Sequence, residues 1–158
     1  MSTPTPIDRP GTTFASLEHE VYVTVQRLAA DLGHQSAELL RGAGLSPAQF
    51  NVLRILRGAG EGGLTCGEVG ERLITRDSDV TRLLDRLEKQ ELVTRVRSSQ
   101  DRRVVLSCLT AKGRAILADL DEPLAELHRA QFGHLGSQKL TRLLALLNEA
   151  SAPVREVG

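Results

Sequence analysis

The apolar residues of this chain change from helical to strand spacing close to Leu92, before helical spacing resumes at Thr110, and this change constrains the fold more than any other feature. Before it, leucines and valines recur every three or four positions, which is the period of an amphipathic helix. After it, residues 94–97 and 103–109 alternate with the period of a β-strand, and the polar residues 98–102 form a connector of hairpin length. The sequence therefore predicts a mainly α fold that contains one small β-hairpin.

Capping residues and glycines divide the helical part into six segments. In chain order, we expect helices from Phe14 to Gly42 or Gly44, from Pro47 (capped by Ser46) to Gly58, from the capping box at Thr65 through Leu73, from Asp79 (capped by Asp77 or Ser78) to about Gln90, from Thr110 to the glycines at 133–136, and from a cap at Ser137 onward. The third and fourth segments are short and closely connected, which is typical of a helix-turn-helix. The fold class expected is a winged helix-turn-helix, α with a small β-hairpin wing.

The two ends of the chain differ from its centre. Residues 1–13 carry three prolines and predict a flexible tail, and residues 14–150 form a single protomer with the winged lobe at 45–110. The long striped helices within 14–44 and 111–150 carry more apolar surface than this lobe can cover, so they predict a homodimer. The residues expected at its interface are Leu17, Val21, Leu28, Leu124, Leu127, Leu143 and Leu147.

Charge and composition exclude several classes of function. Lys plus Arg and Asp plus Glu both number 20, so any nucleic-acid site has to be local. No apolar run is long enough for a membrane, and no signal peptide is evident, which predicts a soluble, cytoplasmic protein. The positions of Cys66, Cys108 and the four histidines predict no metal site, no disulfide and no cofactor, and the chain has no recognisable motif of an enzyme.

Candidate DNA contacts occur in the helix-turn-helix and in the hairpin, and positive charge is concentrated in the hairpin. The second helix of such a pair enters the major groove of DNA, where Arg pairs with guanine and hydroxyl groups bind phosphates. Its candidate DNA contacts are Thr75, Arg76, Ser78, Asp79, Thr81, Arg82 and Arg86. The hairpin gathers Arg95, Arg97, Arg102 and Arg103 around one acid, Asp101, and a basic wing of this kind fits the minor groove.

These basic residues also have other interpretations. Arg82 and Arg86 would be ordinary solvated residues if they paired with Asp79, Asp85 or Glu88 at helical spacing. Asp101 would cap the hairpin turn, hold an arginine in its rotamer, or do both. A protein-interaction module whose wing contacts an acidic partner is also open, as is a thiol-redox-sensing repressor that uses Cys66 in the first turn of a helix.

The run DVTRLLDRLEKQELVTRVRSSQDRRVVLSCLTAKG, residues 79–113, resembles the recognition helix, wing and following helix of the multiple-antibiotic-resistance regulator (MarR) family. LSPAQFNVLRIL, residues 45–56, resembles its second helix. The resemblance implies a sequence-specific regulator of double-stranded DNA, in most cases a repressor, with an inverted-repeat operator and Arg103 in the minor groove. The candidate wing contacts are Arg97, Gln100, Asp101, Arg102 and Arg103.

The resemblance also implies a small aromatic or anionic effector, bound between the dimer helices and the winged lobe. The residues expected near it are Val21, Val25, Phe50, Leu53 and Arg57. In one respect this chain departs from the family pattern, because Glu91 stands where a glycine usually forms the turn before the wing.

Overall fold

The computed structural model describes residues 13–74 and 79–152, in two compact units that divide between Gln35 and Ser36. In chain order the elements are α1 (Leu17–Gly42), α2 (Pro47–Ala59), a 3-10 turn (Gly60–Gly62), α3 (Cys66–Arg72), α4 (Val80–Lys89), β1 (Val93–Arg97), β2 (Val105–Leu109), α5 (Ala111–Phe132), a second 3-10 turn (Gly133–Leu135) and α6 (Gly136–Ser151). No helix in the described ranges is both long and apolar enough to cross a membrane.

The described part of the first unit, residues 13–35, is a short approach followed by most of α1. The helix begins at Leu17, three residues later than Phe14, where its apolar stripe begins. Its apolar side chains are largely exposed, with Leu17 at 72% and Tyr22 at 62%.

The second unit contains the predicted winged helix-turn-helix. β1 and β2 pair antiparallel with Val93 opposite Leu109 and Arg97 opposite Val105. Leu64 adds a bridge on the outer side of β2, where its N–H and C=O both bond to Ser107. Every buried hydrophobic side chain among the described residues is a leucine or a valine. The core is therefore built from two kinds of branched aliphatic side chain.

Capping explains where most helices begin. Ser46 and Thr65 form reciprocal capping boxes with Gln49 and Glu68, and Thr110 accepts a hydrogen bond from the N–H of Gly113. In the second box the N–H and hydroxyl of Thr65 both donate to Glu68, and these bonds hold the pKa of that carboxyl below its usual value.

Three further predicted boundaries, besides the start of α1, are wrong in detail. Asp79 itself caps α4 by accepting from the N–H of Arg82 at 3.1 Å, and Asp77 and Ser78 lie outside the described residues. Ser137 does not cap α6, because the helix begins one residue earlier at Gly136, whose φ of 73° turns the chain directly out of the 3-10 turn. β2 begins at Val105, since the two residues before it belong to the wing turn.

Candidate nucleic-acid interface

The helix α4 presents a polar face opposite its buried leucines. Leu83, Leu84 and Leu87 pack into the core, while Thr81, Arg82 and Arg86 are exposed. Arg82 lies 3.3 Å from Asp79 in an exposed ion pair, and Arg86 has no ion-pair partner in the described part of the chain. The helical pairing considered as an alternative therefore applies to Arg82 but not to Arg86. The candidate contacts Thr75, Arg76 and Ser78 lie outside the described residues.

The acids of α4 are neutralised from the wing. Arg95 of β1 hydrogen-bonds to Asp85, and its Nε lies 3.5 Å from the carboxylate of Glu88. The contact with Glu88 is an ion pair and not a hydrogen bond. The Nε atom of Arg95 is buried and has no hydrogen-bond partner among the described residues. Only 27% of the Arg95 side chain is exposed. Arg95 therefore fastens the hairpin to α4 and does not belong to the free basic cluster that the sequence predicts.

The tip of the wing is a turn held by Asp101. The carbonyl of Asp101 accepts from the N–H of Val104, and its Oδ1 accepts from the N–H of Arg103, both at 2.9 Å. Ser98 closes the loop by donating its N–H to the carbonyl of Val104 at 2.9 Å. The structure thus favours turn capping as the role of Asp101, since its bond goes to backbone and not to a guanidinium group.

The arginines of the wing divide into two groups. Arg97 donates from Nη1 to the carbonyl of Arg102 at 3.0 Å, so it braces the tip. Arg102 and Arg103 are exposed, and neither side chain has an ion pair among the described residues. Gln100 is also exposed, and its N–H donates to the hydroxyl of Ser98 at 3.2 Å. The tip therefore presents two adjacent cations on a turn fixed by its own backbone.

The residues predicted near an effector have different environments. In the first unit, Val21 and Val25 are exposed at 54% and 45%. In the second unit, Phe50 is half-buried, Leu53 is completely buried in the core, and Nη1 of Arg57 lies 2.9 Å from each carboxylate oxygen of Asp121. The ion pair of Arg57 with Asp121 joins α2 to α5, a contact that the sequence pattern did not predict.

The residues predicted at a dimer interface also differ in exposure. Leu17, Val21 and Leu28 of α1 are exposed, as is Leu147 of α6. In the second unit Leu127 and Leu143 are half-buried, and Leu124 belongs to the core of its own chain.

The two cysteines lie in different elements, Cys66 at the start of α3 and Cys108 in β2. Cys66 is exposed, with Sγ 3.7 Å from the hydroxyl of Thr81, and Cys108 is half-buried. A small cavity of about 190 Å³ lies beside Cys66 and is lined by Cys66, Thr81, Leu84, Arg95, Val105 and Ser107. Across the described ranges, no group of three or more His, Cys, Asp or Glu side chains is arranged to hold a metal ion.

Comparison with known proteins gives one consistent result. A sequence model of the MarR family matches residues 43–104. An uncharacterized HTH-type transcriptional regulator of Bacillus subtilis, YsmB, is 32% identical over 76% of this chain and 82% of its own length. A crystal structure of a mutant MarR from E. coli complexed with operator DNA is 26% identical, with a TM-score of 0.75 over 86% of this chain and 99% of that one.

A second solved structure is that of a regulator described as responding to a small molecule. The Bordetella bronchiseptica regulator BpsR, whose DNA binding is described as regulated by 6-hydroxynicotinic acid, is 25% identical, with a TM-score of 0.72 over 84% of this chain and 98% of that one. The sequence match, the curated relative and the DNA-bound neighbour agree with the helix-turn-helix and basic wing described above. The chain belongs to the MarR family of DNA-binding transcriptional regulators.

Proposed function

We propose that this protein is a homodimeric repressor that binds an inverted-repeat operator through α4 and the tip of its wing. The observation that carries the proposal is the pair of exposed cations at the wing tip, Arg102 and Arg103, on a turn that Asp101 and Arg97 hold in place. Because the whole chain has no net charge, attraction to DNA has to come from such local groups.

The helix and the wing have different roles in this proposal. The exposed face of α4, with Thr81, Arg82 and Arg86, enters the major groove and discriminates bases there. Asp79 caps the helix and holds Arg82, while Thr75, Arg76 and Ser78 precede it and contact the backbone of the DNA. Arg103 enters the minor groove beside Arg102, where the negative potential of a narrow groove favours guanidinium groups.

A homodimer supplies two such surfaces. The exposed apolar residues of α1 and of α6 support self-association, because surfaces of this kind are rarely left in water. A two-fold dimer places its recognition helices about one DNA turn apart, roughly 34–36 Å, which requires an inverted-repeat operator. We assign the protein to the cytoplasm, where a bacterial operator is accessible.

The affinity for DNA is controlled by a small aromatic or anionic ligand. Arg57 is the candidate cation for an anionic ligand, and such a ligand would have to replace the carboxylate of Asp121 that now neutralises its guanidinium group. BpsR, with its hydroxynicotinate, supports a ligand of this class. Thermal-shift measurements with salicylate-like acids should show stabilisation that weakens in an Arg57→Met variant. No stabilisation at any concentration would contradict an effector of this class.

The proposed function is tested by removing one cation from the wing. Arg103→Ala should weaken operator binding about tenfold or more and reduce the dependence of log affinity on log salt by roughly 0.9 for each phosphate that the variant no longer neutralises. The control is Arg142→Ala, which removes an exposed arginine from α6. Fluorescence anisotropy at several salt concentrations measures both quantities.

Two results would contradict the proposal. Operator affinity of Arg103→Ala equal to that of the unaltered protein would contradict the assignment of the wing. Binding of an acidic protein without measurable affinity for any DNA duplex would instead favour the protein-interaction module.

A further inference from the structure

The C-terminal end of α4 makes more hydrogen bonds to neighbouring segments than are needed to cap the helix. The chain leaves α4 through a Schellman arrangement, in which the N–H of Glu91 bonds to the carbonyl of Glu88 at 2.9 Å and that of Leu92 to Leu87 at 3.0 Å. These bonds already satisfy two of the last carbonyl groups. Two further helices, α5 and α2, and the loop between α1 and α2 nevertheless contact residues 90–92.

The first turn of α5 supplies one set of contacts. Lys112 donates from Nζ to the carbonyl of Gln90 at 2.9 Å, and the hydroxyl of Thr110 donates to the carbonyl of Glu91 at 2.7 Å. The N–H of Thr110 bonds to the carbonyl of Leu92 at 3.1 Å. A Cβ atom on Gly113 would lie 2.3 Å from that same carbonyl oxygen, so only glycine allows α5 to approach so closely.

The helix α2 and the loop between α1 and α2 supply the other contacts, through the side chain of Gln90. Its Oε1 accepts from Nε2 of Gln49 at 3.1 Å, and its Nε2 donates to the carbonyl of Gly44 at a longer 3.5 Å. Gln49 is itself buried, and its Oε1 accepts the N–H of Ser46 in the capping box of α2. The amide of Gln90 is therefore held at both its oxygen and its nitrogen.

We call the contacts of Gln49, Gln90 and Lys112 the α4 joint. The joint lies at the C-terminal end of α4, whereas Thr81 and Arg82, which the proposed function places in the major groove, lie near its N-terminal end. A ten-residue helix is about 15 Å long, so a tilt at the joint displaces the residues at the other end. Hydrogen bonds to bases tolerate only a few tenths of an ångström. The angle of α4 therefore determines whether its side chains reach the base edges.

We propose that the α4 joint sets the angle of α4 and thereby the sequence specificity of DNA binding, with Gln49 and Lys112 as positioning residues that do not contact DNA. The inference rests on the proposed function, in which α4 discriminates bases. Because Lys112 lies in the first turn of α5, the joint also connects the angle of α4 to the helix that continues toward the predicted dimer residues Leu124 and Leu127.

The test uses the full chain with Gln90→Met and Lys112→Met, singly and together. These substitutions remove the side-chain hydrogen bonds of the joint and keep unbranched side chains that suit a helix. The operator is a duplex selected by the unaltered protein from a random library, and a duplex of unrelated sequence reports nonspecific affinity. Lys139→Met, on α6, is the matched control for the loss of one lysine.

The double variant should lose about tenfold in operator affinity, while nonspecific affinity and the salt dependence of binding stay unchanged. Lys112→Arg should restore most of the affinity, because a guanidinium group also donates to the carbonyl of Gln90. Circular dichroism and sedimentation establish that each variant is folded and has the same assembly state. If the double variant is unfolded, the operator affinities of Lys112→Arg and Lys112→Met are compared. A higher affinity of Lys112→Arg then supports the joint, and equal affinities contradict it.

Each of the remaining outcomes overturns the inference in a different way. A parallel loss of operator and nonspecific affinity, with a salt dependence reduced by about one, would make Lys112 a phosphate contact. If Gln90→Met and Lys112→Met, singly and together, leave operator affinity unchanged, the joint does not position α4. Failure of the unaltered protein to select any sequence would contradict the proposed function itself, independently of the joint.

Discussion

Glu91 has the left-handed backbone conformation that the end of α4 requires, with a φ of 61°. It is the only residue other than glycine with positive φ among the described residues. Side chains with a Cβ atom are disfavoured in this region by roughly 1 kcal/mol, which is why glycine is common at this position of a Schellman motif. The contact of its carboxylate with Lys112, at 3.4 Å, is an exposed ion pair and offsets little of this cost.

Replacing Glu91 by glycine should therefore stabilise the protein. We expect the free energy of unfolding to rise by about 0.5–1 kcal/mol, because glycine removes the strain at φ 61° at the cost of some chain entropy in the unfolded state. Urea denaturation measures the change. Glu91→Ala is the matched control: it removes the same carboxylate and retains the Cβ atom, so it should leave stability nearly unchanged. Equal effects of the two substitutions would show that the carboxylate, and not the backbone, determines stability here.

At the scale of elements, the base of the wing and α4 are held together by Arg95. The two carboxylates that it contacts, on Asp85 and Glu88, lie three residues apart on α4 and would repel each other without it. The ion pair of Arg82 with Asp79 offers a comparison on the same helix, because both of its side chains are more than half exposed. Because Arg95 is more buried than Arg82, its ion pairs should contribute more to the free energy of unfolding, whatever the number of pairs that each arginine forms.

Arg95→Met should cost about 2 kcal/mol in the free energy of unfolding, since it leaves two carboxylates beside a half-buried site without a cation. Arg82→Met should cost less than about 0.5 kcal/mol, because water and salt already screen its pair. Urea denaturation at low and at high salt distinguishes the two. Similar losses for both variants would mean that Arg95 is not a structural link between the wing and α4.

The elements that the sequence predicts well are those whose signals are local. Ser46, Thr65 and Thr110 carry their capping partners within three residues, and the change of apolar period near Leu92 coincides with the start of β1. The contacts that join elements were not predictable in this way. Nothing in the spacing of charges distinguishes Arg95, which turns inward to α4, from Arg102, which stays in water. The side chain of Gln90, an ordinary polar residue, has partners 41 and 46 positions away.

At the scale of the whole molecule, the exposed cations of the wing tip and the exposed apolar surface of α6 lie on different elements. Twenty basic and twenty acidic residues cancel over the chain, so the basic wing tip is a local feature of the surface. Leu144, Leu146 and Leu147 of α6 are exposed at 61%, 55% and 45%. In the proposed function the wing tip binds the operator, and the apolar surface brings two copies of the chain together so that both half-sites are occupied.

Leu147→Arg tests this division between DNA binding and assembly. Because Leu147 is partly exposed in the single chain, the substitution should leave the protomer folded, whereas an unpaired guanidinium group in an apolar dimer interface costs several kcal/mol. Sedimentation should show a monomer, and affinity for a full operator should fall toward that for one half-site. Ala145→Arg places the same charge about 200° around α6 and should remain dimeric. A dimeric Leu147→Arg protein with full operator affinity would contradict the assignment of this face to the interface.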